Sequence, residues 1–302
     1  MKKYLLCFCV LLSIGLQAQI QQHINKPSGP VSNAISEIDS IRFNAGNEEM
    51  QVILVDGNTV VHQLGDIDNV TFITLSGPGN HSCGAPEVHN TVLNYGNLTD
   101  QEGNLYKTIV IGTQEWMAEN LNTSVYQNGD TIVNVIEGSE WNTLTTGAWC
   151  FYNNDSQYDC PYGKLYNWHA VNDSRNVCPA GWHVPSDDEW NILVGYIDPA
   201  YNPSISGEQS PFVGKELKSL GMSYWMGLNI ASTNDRGFSA LPGAYRSFSG
   251  LFNDIESTGI WWSSTPVDST DAWYRLLSHT SDGIQRDDGE SRNGLAVRCV
   301  RD

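Results

Sequence analysis

The richest concentration of chemically capable side chains lies near the C-terminus, in the polar run from Trp273 to Asn293. It combines aromatic rings with guanidinium, imidazole and amide groups, and glycine and aspartate residues interrupt it. The candidate ligand-binding side chains here, with one preceding tryptophan, are Trp262, Trp273, Tyr274, Arg275, His279, Gln285, Arg286, Arg292 and Asn293. An exposed ring can stack on a sugar, whereas the simpler interpretation is a solvated loop. Because side chains alternate between the faces of a strand, at most one ring of the Trp261-Trp262 pair points outward.

A second concentration of polar atoms suggests a metal ion. Asn153, Asn154, Asp155 and Asp159 gather oxygen ligands in one loop, and calcium prefers such ligands. The Glu-Pro-Asn, Gln-Pro-Asp and Trp-Asn-Asp motifs of calcium-dependent sugar-binding lectins are absent from the chain. Because these motifs are absent, no cofactor is predicted, and calcium is kept as the alternative.

Common catalytic motifs are missing. The seven histidines are scattered, and neither the His-Glu-x-x-His zinc motif nor a Gly-x-Ser-x-Gly nucleophile elbow occurs. His183 stands in an apolar stretch, which favours a hydrogen-bonded, half-buried histidine over a catalytic one. The sequence therefore favours a noncatalytic protein.

The charge balance and the N-terminus indicate an exported protein. Sixteen basic residues face 34 acidic ones, an excess that repels phosphate backbones and argues against a nucleic-acid partner. Residues 1–18 read as a signal peptide: Met1-Lys2-Lys3, a short apolar run, and Ala18 before the expected cleavage site. A retained anchor is the alternative. No later segment is apolar for long enough to form a transmembrane helix, so we expect a soluble mature chain that is secreted, periplasmic or on the outer surface.

Residues 19–75 predict a small β-rich module. Residues 35–43 and 64–72 form an internal repeat, each copy reading as a turn that leads into a short strand. Residues 50–55 and 59–64 flank a glycine-containing turn and predict a hairpin. Residues 76–98 are rich in Gly, Pro, Ser and Asn and read as a linker to a second domain at 99–302.

The second domain shows an α+β pattern, with few helices and many short strands. Strands are expected at 105–111, in a pair around Asn128-Gly129, and repeatedly from 238 to 300, and short helices at 161–171 and 213–220. The clearest helix begins at Ser186, because Glu189 three residues later completes a capping box and apolar residues follow at helical spacing. The aspartates beside Ser186 are interpreted as favouring the helix dipole rather than binding metal.

Specific motifs reveal a family resemblance. Residues 99–302 resemble the Fibrobacter succinogenes major paralogous domain, which occurs in secreted and surface proteins of Bacteroidetes and Fibrobacteres. The matching stretches are 103–108, Ile111-Gly-Thr-Gln-Glu-Trp-Met-Ala-Glu-Asn-Leu121, Tyr162-Gly-Lys-Leu-Tyr-Asn-Trp168, Cys178-Pro-Ala-Gly-Trp-His-Val-Pro-Ser186, Gly237-Phe-Ser-Ala-Leu-Pro-Gly243, 261–265 and 297–302. This domain is in turn similar to the C-type-lectin and formylglycine-generating-enzyme folds, an analogy about fold alone.

The resemblance bears on the five cysteines that remain after signal cleavage, Cys83, Cys150, Cys160, Cys178 and Cys299. Lectin-like folds often join the early helical region to the last strand, which implies a Cys178–Cys299 disulfide. A local Cys150–Cys160 bond is favoured slightly over pairing of either with Cys83, and the odd count leaves one cysteine over. Formylglycine-generating enzymes use two neighbouring reactive cysteines late in the chain, and only Cys299 lies there.

The leading functional hypothesis is a noncatalytic binding or adhesion module for an extracellular glycan or protein, with the ligand surface at 273–293, where lectin-like folds commonly carry it. The alternatives are a sulfatase-modifying-type or glycan-active enzyme, and a structural component of the envelope.

Overall fold

The computed structural model describes residues 88–220, 224–227 and 232–302, together with the backbone of six strands between residues 20 and 74. The chain divides into two compact units, Met1–Gly77 and Pro78–Asp302. The signal peptide expected at 1–18 lies outside the described residues and stays a prediction.

The first unit contains six described strands in two antiparallel sheets. The strands are β1 (Ile20–Asn25), β2 (Val31–Ala34), β3 (Ile38–Asn44), β4 (Glu49–Leu54), β5 (Thr59–Gln63) and β6 (Asn69–Thr74). One sheet has the order β2-β1-β6 and the other β3-β4-β5. β4 pairs antiparallel with β5, as the predicted hairpin requires. β3 and β6 hold the C-terminal parts of the two repeat copies, so each copy does lead into a strand, but the two strands belong to different sheets.

The second unit is an α+β domain of short elements. Its strands are β7 (Gly96–Thr99), β8 (Leu105–Ile111), β9 (Gln114–Met117), β10 (Val133–Asn134), β11 (Ala148–Cys150), β12 (Leu165–Tyr166), β13 (Trp182–His183), β14 (Gly207–Ser210), β15 (Tyr245–Arg246), β16 (Phe252–Asn253), β17 (Thr258–Pro266), β18 (Asp271–Ser278), β19 (Ile284–Glu290) and β20 (Val300–Arg301). Its helices are α1 (Gly138–Trp141), α2 (Asp159–Tyr162), α3 (Trp168–Val171), α4 (Asp187–Ile197) and α5 (Val213–Leu217).

Two larger sheets organise this domain. A five-stranded sheet has the order β13-β20-β9-β8-β7, and an antiparallel four-stranded sheet has the order β14-β19-β18-β17. Shorter strands form β10-β11-β12 and β15-β16. Successive side chains of β17 point to opposite faces of the strand. Trp261 and Trp262 therefore pack into different apolar clusters, the two main ones of the domain. Both rings are buried, so neither points outward and the ligand-binding prediction for Trp262 is wrong.

The capped helix forms as its sequence predicts. The hydroxyl of Ser186 accepts a hydrogen bond from the backbone N–H of Glu189, and the Glu189 side chain accepts one from the backbone N–H of Ser186. Trp190, Leu193 and Val194 are buried on its inner face.

Two local predictions fail. Residues 161–171 do not form one helix, because Asn167 caps a new turn at its own position and residues 165–166 pair as a strand with β11. The composition of residues 76–98 predicted a linker, but its second part is folded. Val88 is buried, and β7 pairs with β8. The folded domain therefore begins at least as early as Val88.

A disulfide joins Cys178 to Cys299, the pair that the resemblance implied, with the two Cα atoms 6.0 Å apart. It links the segment before α4 to the strand end at β20. Because Cys299 is bonded, it offers no free thiol for chemistry of the formylglycine-generating type.

The Cys150–Cys160 prediction is wrong. Cys150 has a free thiol that is buried among Val135, Trp141 and Leu165, and burial raises its pKa to about 12. Cys160 is disulfide-bonded, and Cys83, the other partner considered, lies outside the described residues. The short sequence separation of Cys150 and Cys160 did not predict their pairing correctly, because β11 places the Cys150 side chain in the core.

We expect the Cys178–Cys299 bond to be a main source of stability. It spans 121 residues, and the loop-entropy relation gives about 4 to 5 kcal/mol for a loop of that size. Replacing both cysteines with alanine should lower the free energy of unfolding by about that amount, measured by urea denaturation. Cys150→Ala removes a buried sulfur without removing a crosslink and should cost about 1 kcal/mol. Equal urea midpoints for the double variant and the wild type would show that the bond is energetically unimportant.

Candidate functional site

Two of the predicted ligand-binding residues are instead buried in an ion-pair cluster. Arg275 Nη1 donates to Asp187 Oδ1 at 2.8 Å, and Arg286 Nη2 donates to Asp187 Oδ2 at 2.8 Å. Arg275 also donates from Nη2 to Asn191 Oδ1 at 2.9 Å. The cluster joins the first turn of α4 to β18 and β19, so Arg275 and Arg286 position the sheet and are not available to a ligand.

Asp187 therefore does more than the sequence suggested. Its carboxylate is not simply a solvent-facing charge at a helix N-terminus, because both of its oxygens accept from guanidinium groups. Burial alone would raise the pKa of Asp187, but hydrogen bonds and charge from Arg286 and Arg275 outweigh it and lower the pKa. The neighbouring Asp188 is exposed and fits the dipole interpretation.

The remaining predicted residues divide into structural and accessible ones. Trp273 is half-buried, and the Arg286 guanidinium covers its ring 3.3 Å from the centroid.

Arg292 pairs with Glu290 at 2.8 Å, and His279 lies next to the Ser257 carbonyl. Besides Trp273, five of the predicted residues are partly exposed. Two of them, Tyr274 and Asn293, line a cleft in the domain, whereas His279, Gln285 and Arg292 do not.

A cleft of about 240 Å³ opens between β18, β19 and the β15-β16 hairpin. It has two aromatic residues, an apolar floor and a polar rim. The lining residues are Tyr245, Asp254, Ile260, Tyr274, Leu276, Asp288, Gly289, Asn293 and Leu295. Ile260 and Leu295 are buried, whereas Asp254 and Asp288 are exposed. An apolar floor with a few convergent polar groups is the usual composition of a small-ligand site.

The absence of a side chain at Gly289 leaves space between Tyr274 and Asn293 in the cleft. A Cβ at this position would lie 3.1 Å from Tyr274 Cε1 and 3.0 Å from Asn293 Nδ2, closer than side chains normally pack. Glycine weakens a strand interior, and one often marks a place where another group approaches the backbone closely. The glycine inside β19 was the sequence signal that could have located the cleft.

The side chain of Asn293 is oriented toward the cleft. Its Oδ1 accepts a hydrogen bond from the backbone N–H of Phe248 at 2.8 Å, which fixes the amide because only the oxygen can accept. Nδ2 then lies on the side of Gly289 and has no partner among the described residues. The cleft therefore presents a hydrogen-bond donor.

The tyrosines and carboxylates of the cleft supply further polar groups. Within the described part of the chain, neither the Tyr245 nor the Tyr274 hydroxyl forms a hydrogen bond, and neither the Asp254 nor the Asp288 carboxylate bonds to another side chain. Burial, then the charges of Asp287 and Asp288, raises the pKa of Tyr274 to about 12. Burial and Asp254 likewise raise the pKa of Tyr245. Both phenols therefore stay protonated, as donors and acceptors, near neutral pH.

The backbone beside the cleft adopts an unusual conformation at two positions. Ala244 has a φ of 64° and Asp254 a φ of 67°, values that few residues other than glycine adopt. Such strain is often found at ligand sites, where the surrounding structure holds it in place. Ala244 directly precedes Tyr245, and Asp254 itself lines the cleft.

The proposed calcium ligands serve local structure where their bonds are seen. Asp155 accepts from the backbone N–H of Gln157 at 2.9 Å and caps a short 3-10 turn, while Asn154 Nδ2 donates to the Ile136 carbonyl at 2.8 Å. Asn153 adopts a positive φ. One oxygen of Asp159 is buried without a hydrogen bond. In the described residues no group of three or more His, Cys, Asp or Glu converges as a metal site.

A hydrogen-bonded chain that the sequence did not reveal lies elsewhere in the domain. His89 Nε2 is 2.9 Å from Glu119 Oε1, and His89 Nδ1 is 3.2 Å from Ser239 Oγ. The order carboxylate, imidazole, hydroxyl is that of an acyl-transfer triad. However, Ser239 is fully buried and its Oγ also accepts from Asn234 Nδ2 at 3.0 Å, so a substrate cannot reach it. The chain instead fastens the segment around His89 to the domain.

Comparison with known proteins identifies the family. The family model of the Fibrobacter succinogenes major domain matches residues 109–301. The chain belongs to this family. No curated protein and no solved structure matches the chain significantly. The candidate cleft lies wholly within the matched family domain.

The helices of the described part are short. α4 has 11 residues, and none of the described helices combines the length and apolarity needed to cross a bilayer.

Asp187→Asn should test the ion-pair cluster that supports the sheet of the cleft. The amide keeps the shape but leaves two buried guanidinium groups without a counter-charge, so we expect a loss of about 3 to 5 kcal/mol in the free energy of unfolding at neutral pH. Because the folded-state pKa of Asp187 is lowered, its stabilisation is complete above the unfolded pKa, near 4, and is lost as pH falls through the folded value.

The difference between wild type and Asp187→Asn should therefore shrink in acid, as measured by urea denaturation over a pH series. Asp188→Asn makes the same charge change at the exposed neighbour and should cost under about 1 kcal/mol. Equal costs for the two variants would contradict the structural role of Asp187.

Proposed function

We propose that this chain is an exported, noncatalytic binding protein that takes a glycan in the cleft between Tyr245 and Tyr274. The observation that carries the proposal is the coincidence of two accessible tyrosines with unpaired donors and acceptors above an apolar floor. Sugars present both apolar C–H faces and hydroxyl groups, and aromatic rings with convergent polar groups suit both.

The size of the cleft favours a small ligand. Its volume of about 240 Å³ lies just below the range of about 300 to 1,000 Å³ typical of drug-sized ligands. One or two sugar residues at a chain end suit such a space better than a folded protein surface does. A protein ligand is therefore the less favoured partner.

The C-type-lectin-like fold and the cellular location are part of the same proposal. Few short helices, many strands, and a disulfide from the segment before α4 to the end of the chain support the lectin-like arrangement. Export is proposed from the residue pattern at 1–18, and an oxidising compartment is where the Cys178–Cys299 disulfide would persist best. The binding experiment, run with and without calcium, tests whether ligand binding requires this ion.

The first test is a glycan array probed with the wild-type chain, with and without calcium. Gly289→Ala should weaken binding of any glycan found by at least about tenfold, or about 1.4 kcal/mol, because the added methyl pushes on Tyr274 and Asn293. Titration calorimetry measures the affinity, and circular dichroism confirms that the variant is folded.

Gly138→Ala is the matched control, because its Cβ would meet only ordinary contacts, the nearest at 3.7 Å. It should bind as the wild type does. Absence of binding across the array in both calcium conditions would overturn the proposal, and unchanged affinity in Gly289→Ala would move the site away from this cleft.

A further inference from the structure

The negative charge of the cleft restricts the kind of charge that its ligand can carry. Asp254 and Asp288 line it, and none of the described residues that line it is lysine or arginine. Asp287 is the cross-strand partner of Tyr274 in the β18–β19 pairing, which adds a third carboxylate to the local field. A ligand carrying negative charge would be repelled there, and one carrying positive charge would be attracted.

The arginine next to Asn293 in the chain is engaged by residues outside the cleft. Arg292 precedes Asn293 in the chain, but its Nη2 pairs with Glu290 Oε2 at 2.8 Å and its Nη1 donates to the Asn142 carbonyl. Its guanidinium also lies near the Phe248 ring, 5.7 Å from the centroid. Arg292 is therefore engaged by Glu290 and Asn142 rather than by the cleft carboxylates.

The aromatic residues suit the same kind of ligand. A protonated amine is attracted to the face of a tyrosine ring as well as to carboxylates, and its N–H groups donate to oxygen acceptors. Tyr274 is paired with Asp287 across β18 and β19, and Tyr245 and Asp254 line the same cleft, so each ring shares its surroundings with a carboxylate. Such pairing of ring and carboxylate is well suited to ammonium groups.

We propose that the cleft prefers a saccharide that carries a protonated amine, that is, an amino sugar whose nitrogen is not acetylated. This inference rests on the proposed function and names its ligand class. The apolar floor and Asn293 Nδ2 would contact the sugar ring and its hydroxyls, while the carboxylates and ring faces would hold the ammonium group.

Three β-1,4-linked tetrasaccharides test the inference, because they differ only in the group at C2: glucosamine carries an ammonium, N-acetylglucosamine an acetamide, and glucose a hydroxyl. In titration calorimetry at low ionic strength and at a mildly acidic pH that keeps the amine protonated, the glucosamine tetramer should bind about tenfold more tightly than the other two. The advantage should shrink in about 0.5 M salt, where charges are screened over a few ångströms.

Asp254→Asn should reduce the preference for the amine several-fold, lowering affinity for the glucosamine tetramer more than for the glucose tetramer. Asparagine tolerates the positive φ of 67° at this position well, so the backbone should be preserved. Asp235→Asn removes the same charge at an exposed position outside the cleft and should leave the preference unchanged.

The outcomes separate the two proposals. Equal affinities for the three tetramers would overturn the amine preference and leave glycan binding in place. A preference that Asp254→Asn and Asp235→Asn reduce equally would show a diffuse charge effect and would also overturn it. If none of the tetramers and no glycan of the array binds, both proposals fall.

Discussion

The buried carboxylate of Asp187 is the contact on which the architecture of the cleft depends. It accepts hydrogen bonds from Arg275 on β18 and Arg286 on β19, and so attaches the four-stranded sheet to the first turn of α4. Two guanidinium groups in a dry environment would be costly without it. The same helix start is stabilised by its capping box, and the Cys178–Cys299 bond anchors the segment that precedes it. Three different kinds of interaction thus converge on a stretch of about a dozen residues.

The alternation of side chains along β18 connects this anchor to the candidate site. Arg275 points to α4, whereas its neighbours Tyr274 and Leu276 face the cleft. Holding one face of the strand therefore fixes the position of the other. A site on a rigid strand spends little free energy on ordering when a ligand binds, which suits a weakly interacting ligand such as a sugar.

Local features of the fold could be predicted from sequence, and long-range partners could not. The capping box at Ser186 was predictable because both of its residues lie within one turn. The partners of Asp187 lie 88 and 99 residues away, and no pattern in one sequence reveals them. For the same reason Arg275 was predicted to face a ligand, since a polar run shows which residues are polar but not which pair internally. Of the residues predicted to bind a ligand, Tyr274 and Asn293 line the candidate cleft, whereas its Tyr245 and Asp254 come from a separate hairpin that the sequence did not connect to them.

The residues that stabilise the domain and those that line the polar rim of the cleft are different groups. Asp187 and its arginines are buried and mutually paired, so changing one of them damages the fold. Asp254 and Asp288 are exposed and bond to no other side chain within the described chain, so replacing their charges should cost little stability. A scaffold with this division can change the charge and hydrogen-bonding groups of its rim while its core stays the same. In this chain the rim is acidic, and that charge is the basis for proposing a cationic sugar as its ligand.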